Sequence, residues 1–330
     1  MPSQMSTAVT TGGMSGGVVL TGAVQAAYSQ EILHAAQPVR RFAQFAEVKT
    51  ELGRQPGNQI NFLRYGDLDG SAVLTEGTDM ETDALDSSLI PITVGERGKA
   101  VRVSELLLNT SFDDVMATAT VKLGQHYAQT IDGELRNALR GTPNMFRVGG
   151  AATRASMTSA NVAVMDTIRS ARTQLAENKA PKFDDDYYIC FVSPHQAASI
   201  RRDPEWVSVV KYGDPDRVYR GEIGRIEDVR FIETTNTTVI KSGAYVDEGA
   251  VFADNKPAPD VPDESDFHAT LDVHQAYMFG ANSVGIAEAL PAELRDNGVE
   301  DFGRKHSLGW YAIYGVGRIE DANSIVIESV

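Results

Sequence analysis

Basic residues are missing from one long stretch of this 330-residue sequence, cysteine is nearly absent from all of it, and extended apolar runs do not occur. From Tyr65 to Glu96 there are eight acidic residues (Asp67, Asp69, Glu76, Asp79, Glu81, Asp83, Asp86 and Glu96) and no Lys or Arg. With Gly66, Gly70 and Gly77 as punctuation, such a segment cannot form a core of its own. The single cysteine, Cys190, excludes an intramolecular disulfide and fits a reducing compartment. No run approaches the roughly 18–20 apolar residues of a membrane span. The weak apolar stretch Gly17-Val18-Val19-Leu20 has no basic segment before it, so no secretory signal is expected. Net charge is −15, with Asp and Glu spread along the chain. That surface repels phosphate and anionic lipid, which argues against tight nucleic-acid or membrane binding through charge.

The acidic stretch is framed by strand-like runs. Gln59-Ile60-Asn61-Phe62-Leu63-Arg64-Tyr65 alternates polar and apolar residues, and Leu89–Val94 with Ala100–Val103 supplies return strands. An arm so polar is most easily satisfied by a neighbouring subunit. A long helix follows, with Ser111 at the expected N-cap, Asp113 and Asp114 in the first turn, and Gly141 and Pro143 at its end. Val115, Ala119, Leu123, Tyr127, Ile131, Leu135 and Leu139 recur at every fourth position. A helix of roughly 28 residues spans about 42 Å, more than twice the usual globular length. It reads as the spine of a flat subunit.

At this length the chain should split into two lobes. Residues 1–22 have the Gly/Ser/Thr composition of a flexible arm, and a patchy helical pattern over Val24–Phe45 breaks at Gln37-Pro38. Gly149-Gly150 marks a hinge into the second lobe. There Val162, Met165, Ile168, Ala171 and Leu175 predict a helix packed on a sheet. Tyr187–Val192, Val229–Glu233, Gln275–Gly280 with Ser283–Ile286, Leu308–Val316 and Ser324–Glu328 read as strands. Pro194–Arg202 reads as a short helix stopped at Asp203-Pro204, and Asp254–Asp272 as an acidic, proline-bearing surface loop.

Candidate chemistry is thin. Asp184-Asp185-Asp186 holds carboxylates of the kind that bind hard cations, but adjacent carboxylates before a strand diverge and more often form a solvated turn. Cys190 with His195 suggests a thiol nucleophile and its base, yet a cysteine in an apolar strand is more often buried and inert. The six histidines show no ligand spacing, and His126 and His306 lie where solvent-facing side chains are expected. Gly315-Val316-Gly317 has no third glycine and no following helix, so no phosphate cradle is expected. Arg40-Arg41 and Arg201-Arg202 are isolated pairs, and Ser193 lacks the glycines of a nucleophile elbow. No catalytic, cofactor-binding or metal residue is expected, which favours a structural role.

Six pieces in order carry a resemblance: Gly57–Tyr65, Ala72–Gly77, Val103–Leu107, Val229–Asn236, Asp272–Gly280 and Leu308-Gly309-Trp310-Tyr311. With these, the chain resembles major capsid proteins of tailed double-stranded-DNA bacteriophages with the Hong Kong 97-type fold, in particular the group typified by the capsid protein of coliphage N4. The resemblance implies an α+β fold with an N-terminal arm at 1–52 and an extended β-hairpin loop at 53–103. A peripheral domain at 104–158, with spine helix 112–140, an axial domain with a central sheet at 159–290, and C-terminal strands at 291–330 would complete it. It further implies a non-enzymatic virion protein, made and assembled in the bacterial host cytoplasm, whose copies form hexamers and pentamers of an icosahedral shell around double-stranded DNA. Inter-subunit contacts are expected at Leu63, Arg64, Val73, Leu74, Glu76 and Leu89. No Lys lies between Lys49 and Lys99, so the Lys–Asn isopeptide weld of some such shells is not expected. The chain begins directly with an arm, so a separate scaffolding protein is expected, with a portal and a decoration protein as further partners.

Three rival readings differ in what they predict. An encapsulin-like compartment shell would carry a cargo-docking groove. A soluble hydrolase would depend on Asp184–Asp186 or on Cys190 and His195. A tail-tube or adhesin protein would be richer in strands and lack the spine.

Overall fold

A computed structural model describes residues 41–50, 57–66, 86–111, 114–183, 186–204, 206, 222–242, 268 and 270–330. Ala72–Gly77 of the acidic arm, most of the Asp254–Asp272 loop and the helical pattern before Pro38 lie outside them.

The spine runs from Val115 to Arg140 as one 26-residue helix. Its cap is Asp114 and not Ser111: Asp114 Oδ1 accepts from the Met116 and Ala117 amides, both at 3.1 Å. Ser111 instead closes a short helix α1, Glu105–Thr110, whose N-cap is Ser104. The spine is therefore α2; α3 is Met165–Glu177 and α4 is Pro194–Arg202. α4 starts with Pro194 in its first turn and a capping box between Ser193 and Gln196.

Strands form three sheets. β2 (Gln59–Tyr65) and β3 (Ser87–Thr93) pair antiparallel from Gln59↔Thr93 to Tyr65↔Ser87. A four-stranded sheet takes β1 (Glu47–Lys49), β11 (Val284–Glu300), β12 (Lys305–Arg318) and β4 (Gly95–Ser104) in that order. The third sheet runs β5 (Met145–Arg147), β13 (Ser324–Ser329), β10 (Val273–Phe279), β6 (Tyr188–Val192), β8 (Val229–Glu233), β7 (Glu222–Ile226), with β9 (Val239–Ile240) also on β10. β11 extends 14 residues beyond the expected Ser283–Ile286 segment, to Glu300. β1 pairs with β11 only as far as Ala287, so Pro291 takes no hydrogen bond away from that pairing.

The chain divides into two compact units. One contains Gly98–Tyr127 and Ala292–Tyr311; the other contains Gln37–Arg97, Ala128–Pro291 and Ala312–Val330. In the first, Trp310 is buried against Tyr127, with ring centroids 5.2 Å apart. Its indole Nε1 donates to His126 Nδ1 at 3.2 Å. His126 is half-buried, contrary to the solvent-facing place expected for it, and burial followed by the nearby Lys99 charge holds its pKa below the usual value. His306 is also partly buried, with Nε2 at 2.8 Å from Asp296 Oδ1.

The second unit is built on the β10-centred sheet. One face packs Met165, Ile168, Ala171 and Leu175 of α3, with Ala197 and Ile200 of α4, onto Cys190, Val192, Phe231, Ala276, Met278 and Ile327. Phe42 packs on Phe191 with ring centroids 4.1 Å apart, in a four-residue 3-10 turn (Phe42–Phe45); the amides of Ala43 and of the preceding Arg41 donate to Asp132 of α2. Glu328, fully buried, accepts from Arg154 at 2.7 Å, Arg147 at 3.0 Å and Gln275 at 2.8 Å. A buried carboxylate is tolerable only when its lone pairs are filled in this way.

Candidate assembly surfaces

The β2–β3 hairpin is apolar and buried at its root and exposed at its far end. Ile60, Phe62 and Ile92 are buried with Ala287 of β11, and Ile90, Val94 and Ile319 pack against them. The Lys49 ammonium sits 4.5 Å over the Phe62 ring, adding a cation–π contact. Past this point the same strands leave Leu63 45%, Tyr65 58% and Leu89 60% exposed. The ladder continues to the Gly66 amide, which donates to the Asp86 carbonyl at 3.0 Å, where the acidic stretch begins.

Of the six residues expected at inter-subunit contacts, Leu63, Arg64 and Leu89 lie together on this exposed end. Val73, Leu74 and Glu76 fall outside the described residues. Arg64 already has a partner within its own chain, Glu320, at 2.6 Å.

Glycines fix how the root is held. A side chain at Gly315 would overlap the Thr93 carbonyl, and one at Gly317 would come within 2.9 Å of Ile92. The Gly-x-Gly that carries no phosphate signature thus lets β12 pass close beneath the hairpin.

The residues considered for catalysis are placed otherwise. Cys190 is fully buried in β6, and burial pushes its thiol pKa far up, away from nucleophilic behaviour. His195 does not face it; its ring stacks on His274, centroids 4.6 Å apart. Asp186 pairs with Lys182 at 3.1 Å in a turn, and Asp184 and Asp185 lie outside the described residues. Among the described residues no three His, Cys, Asp or Glu side chains group as a metal site.

A second exposed apolar group was not legible in the sequence. It comprises Val101 on β4, Leu106 and Leu107 on α1, Val299 near the end of β11, and Phe302 in the turn that follows it. Phe302 is a single aromatic between Asp301 and Gly303, with no period around it to mark it.

A long helix, a hairpin rooted on a β-sheet, and a separate sheet covered by helices define a shell-forming subunit of the Hong Kong 97-type α+β fold. The fold matches the capsid of Ralstonia phage GP4 with a TM-score of 0.66 at 16% identity, covering 86% of this chain and 87% of that one. It matches the capsid asymmetric unit of cyanophage Pam1 with a TM-score of 0.66 at 15% identity, covering 99% and 96%. In sequence, the major capsid protein of Staphylococcus phage phiMR11 is 24% identical over 217 residues, 64% of this chain and 71% of the relative. The family model described as phage capsid protein matches residues 87–326. The chain belongs to that family: it is a structural, non-enzymatic component of the phage virion, which works as many copies of itself.

Proposed function

We propose that this chain is the major capsid protein of a tailed double-stranded-DNA phage, of the group typified by coliphage N4, and that its copies close into an icosahedral shell of hexamers and pentamers. One observation carries this reading: the β2–β3 hairpin is buried at its root and exposes Leu63, Tyr65 and Leu89 just where an acidic, lysine-free segment begins. Exposed apolar side chains followed by uncompensated acid call for a partner surface beyond the subunit.

The inter-subunit contact is assigned to Leu63, Arg64, Val73, Leu74, Glu76 and Leu89, with Arg64 exchanging or sharing its Glu320 partner on assembly. The arm at 1–52, loop at 53–103, peripheral domain at 104–158, axial domain at 159–290 and returning strands at 291–330 divide the labour of the subunit. A shell grows correctly when each contact is weak enough to be undone, and interlocking arms meet that requirement better than one large sticky face. Without a lysine on the loop the shell is held noncovalently. A separate scaffolding protein, a portal and a decoration protein are the partners that the resemblance to tailed-phage capsids brings with it. The shell encloses DNA without gripping it, in keeping with the charge of −15.

Deleting residues 66–86 tests the reading. The subunit should keep its circular dichroism spectrum and its melting transition, while electron microscopy shows no closed shells. Shells of unchanged number and form would refute the assignment of the loop.

A further inference from the structure

His126 and Trp310 meet where the spine helix α2 packs on β12, within the first unit. Their rings are tilted by 42°, with centroids 5.9 Å apart, and the indole Nε1 lies 3.2 Å from the imidazole Nδ1. An indole N–H can only donate, so Nδ1 must accept. That fixes the state of the histidine: the ring is neutral, with its proton on Nε2. Trp310 is buried, so water does not take over as acceptor while the packing holds. A proton on Nδ1 would set two donors face to face and leave a buried N–H unpaired.

The groups around the pair keep the ring neutral at neutral pH. Burial and the Lys99 charge on β4 both oppose protonation of His126. On α2 itself Lys122 stands one turn earlier, bonded to Gln125 at 3.2 Å. On β12, His306 shares the side of the strand that carries Trp310 and is engaged by Asp296 Oδ1 of β11 at 2.8 Å. The same oxygen accepts from the Gly298 amide at 2.8 Å. An open cleft of about 610 Å³ runs along this stretch of β12, with Lys99, Arg295, Asp296, Ser307 and Trp310 in its lining. It gives the strand room to shift and water a way in.

We infer that the His126–Trp310 bond is an acid-released latch: the neutral imidazole fastens β12 to the spine helix, and the imidazolium lets Trp310 go. The latch belongs to the folded subunit, so its test is separate from that of the shell reading. His126 takes its proton less readily in the fold than in the unfolded chain. The bond's contribution is therefore fully present above about pH 6.5 and is lost as pH falls below it. One proton taken up on release shifts the equilibrium by at most about tenfold per pH unit.

The chain has two tryptophans, and Trp206→Phe, which keeps an aromatic ring against Phe231, leaves Trp310 as the reporter. Between about pH 7.5 and about pH 4.5 its emission should shift to the red as the indole becomes wet. Its Nε1–H, followed by NMR, should lose protection several-fold after correction for the intrinsic pH dependence of exchange. His126→Gln supplies a neutral acceptor at every pH and should hold both signals flat. His126→Leu, with no acceptor, should show the released signals already at neutral pH. His274→Gln, in the second unit, should leave the change intact. Signals that stay constant with His126 in place overturn the latch, as do a change of equal size in His126→Gln and the loss of the change in His274→Gln. Should Trp206→Phe fail to fold, the two indole N–H resonances of the native chain give the same reading.

Discussion

His274 shows how one side chain ties the second unit to pH. It sits on β10 at the edge of the core, its ring nearly parallel to that of His195, 11° between planes, and its Nδ1 is buried without a hydrogen-bond partner. Burial first, then the His195 charge, pushes its pKa down to about 4; Asp272 acts in the opposite direction and Lys241 in the same one. A histidine depressed in the fold but ordinary, near 6.5, when unfolded binds its proton more readily in the unfolded chain. Its contribution is therefore fully present above about pH 6.5, is lost as pH falls, and stops changing below about pH 4. Because the ring is partly exposed, the loss is discounted to about 1 kcal/mol, a shift of roughly 2–4 °C in Tm. Thermal melts of the subunit between about pH 7 and pH 4.5 should show this fall, and His274→Gln should flatten it. An equal fall in the variant would place the acid sensitivity elsewhere.

At the scale of elements, the hairpin root depends on β12 having no side chain where β3 crosses it. Gly315→Ala would drive a methyl group into the Thr93 carbonyl, and Ile92 leaves no room to retreat because it already fills the space over Gly317. Overpacking of this kind costs about 1–3 kcal/mol. The variant should fold with a lowered Tm in calorimetry, and its hairpin amides should exchange faster with deuterium; unchanged protection of β2 and β3 would show the root to be held by other means. The elements themselves were largely legible. The fourfold apolar recurrence from Val115 to Leu139 is unambiguous, and Gln59–Tyr65 alternates with period two, so the spine and the projecting hairpin could be read directly. The cap was misread by three residues because Ser111 and Asp114 are both good caps, and only the end of α1 at Thr110 decides between them. The second half of β11 was illegible because Pro291 and Asn297-Gly298 resemble turn signals, and only the three-dimensional extent of β1 shows that Pro291 lies beyond the pairing of those two strands. Leu63 and Leu89 could be picked out as apolar residues in a polar arm; Phe302 could not, since a lone aromatic in a turn carries no pattern.

At the scale of the whole molecule, we propose that charge sets the relation between shell and contents. The chain carries 45 Asp and Glu against 30 Lys and Arg. Many of the described arginines are already committed within the subunit: Arg154 and Arg147 to Glu328, Arg97 to Glu134, Arg169 to Glu227, Arg201 to Glu233. Neutralising phosphate requires cations free to release their counterions, and each one used steepens the salt dependence of binding by about one unit. With a net charge of −15 repeated in every copy, the shell would then present DNA with repulsion instead of sites. A genome that must enter and leave benefits from walls it does not adhere to. Empty shells mixed with duplex DNA at ~0.15 M salt, where the Debye length of about 8 Å still lets surface charge act, should show no tight complex by sedimentation. Lowering the salt to ~0.01 M should weaken association further, because repulsion then reaches about 30 Å. Binding that tightens as salt falls would reveal a cationic face on the assembled shell and overturn the picture of a repelling wall.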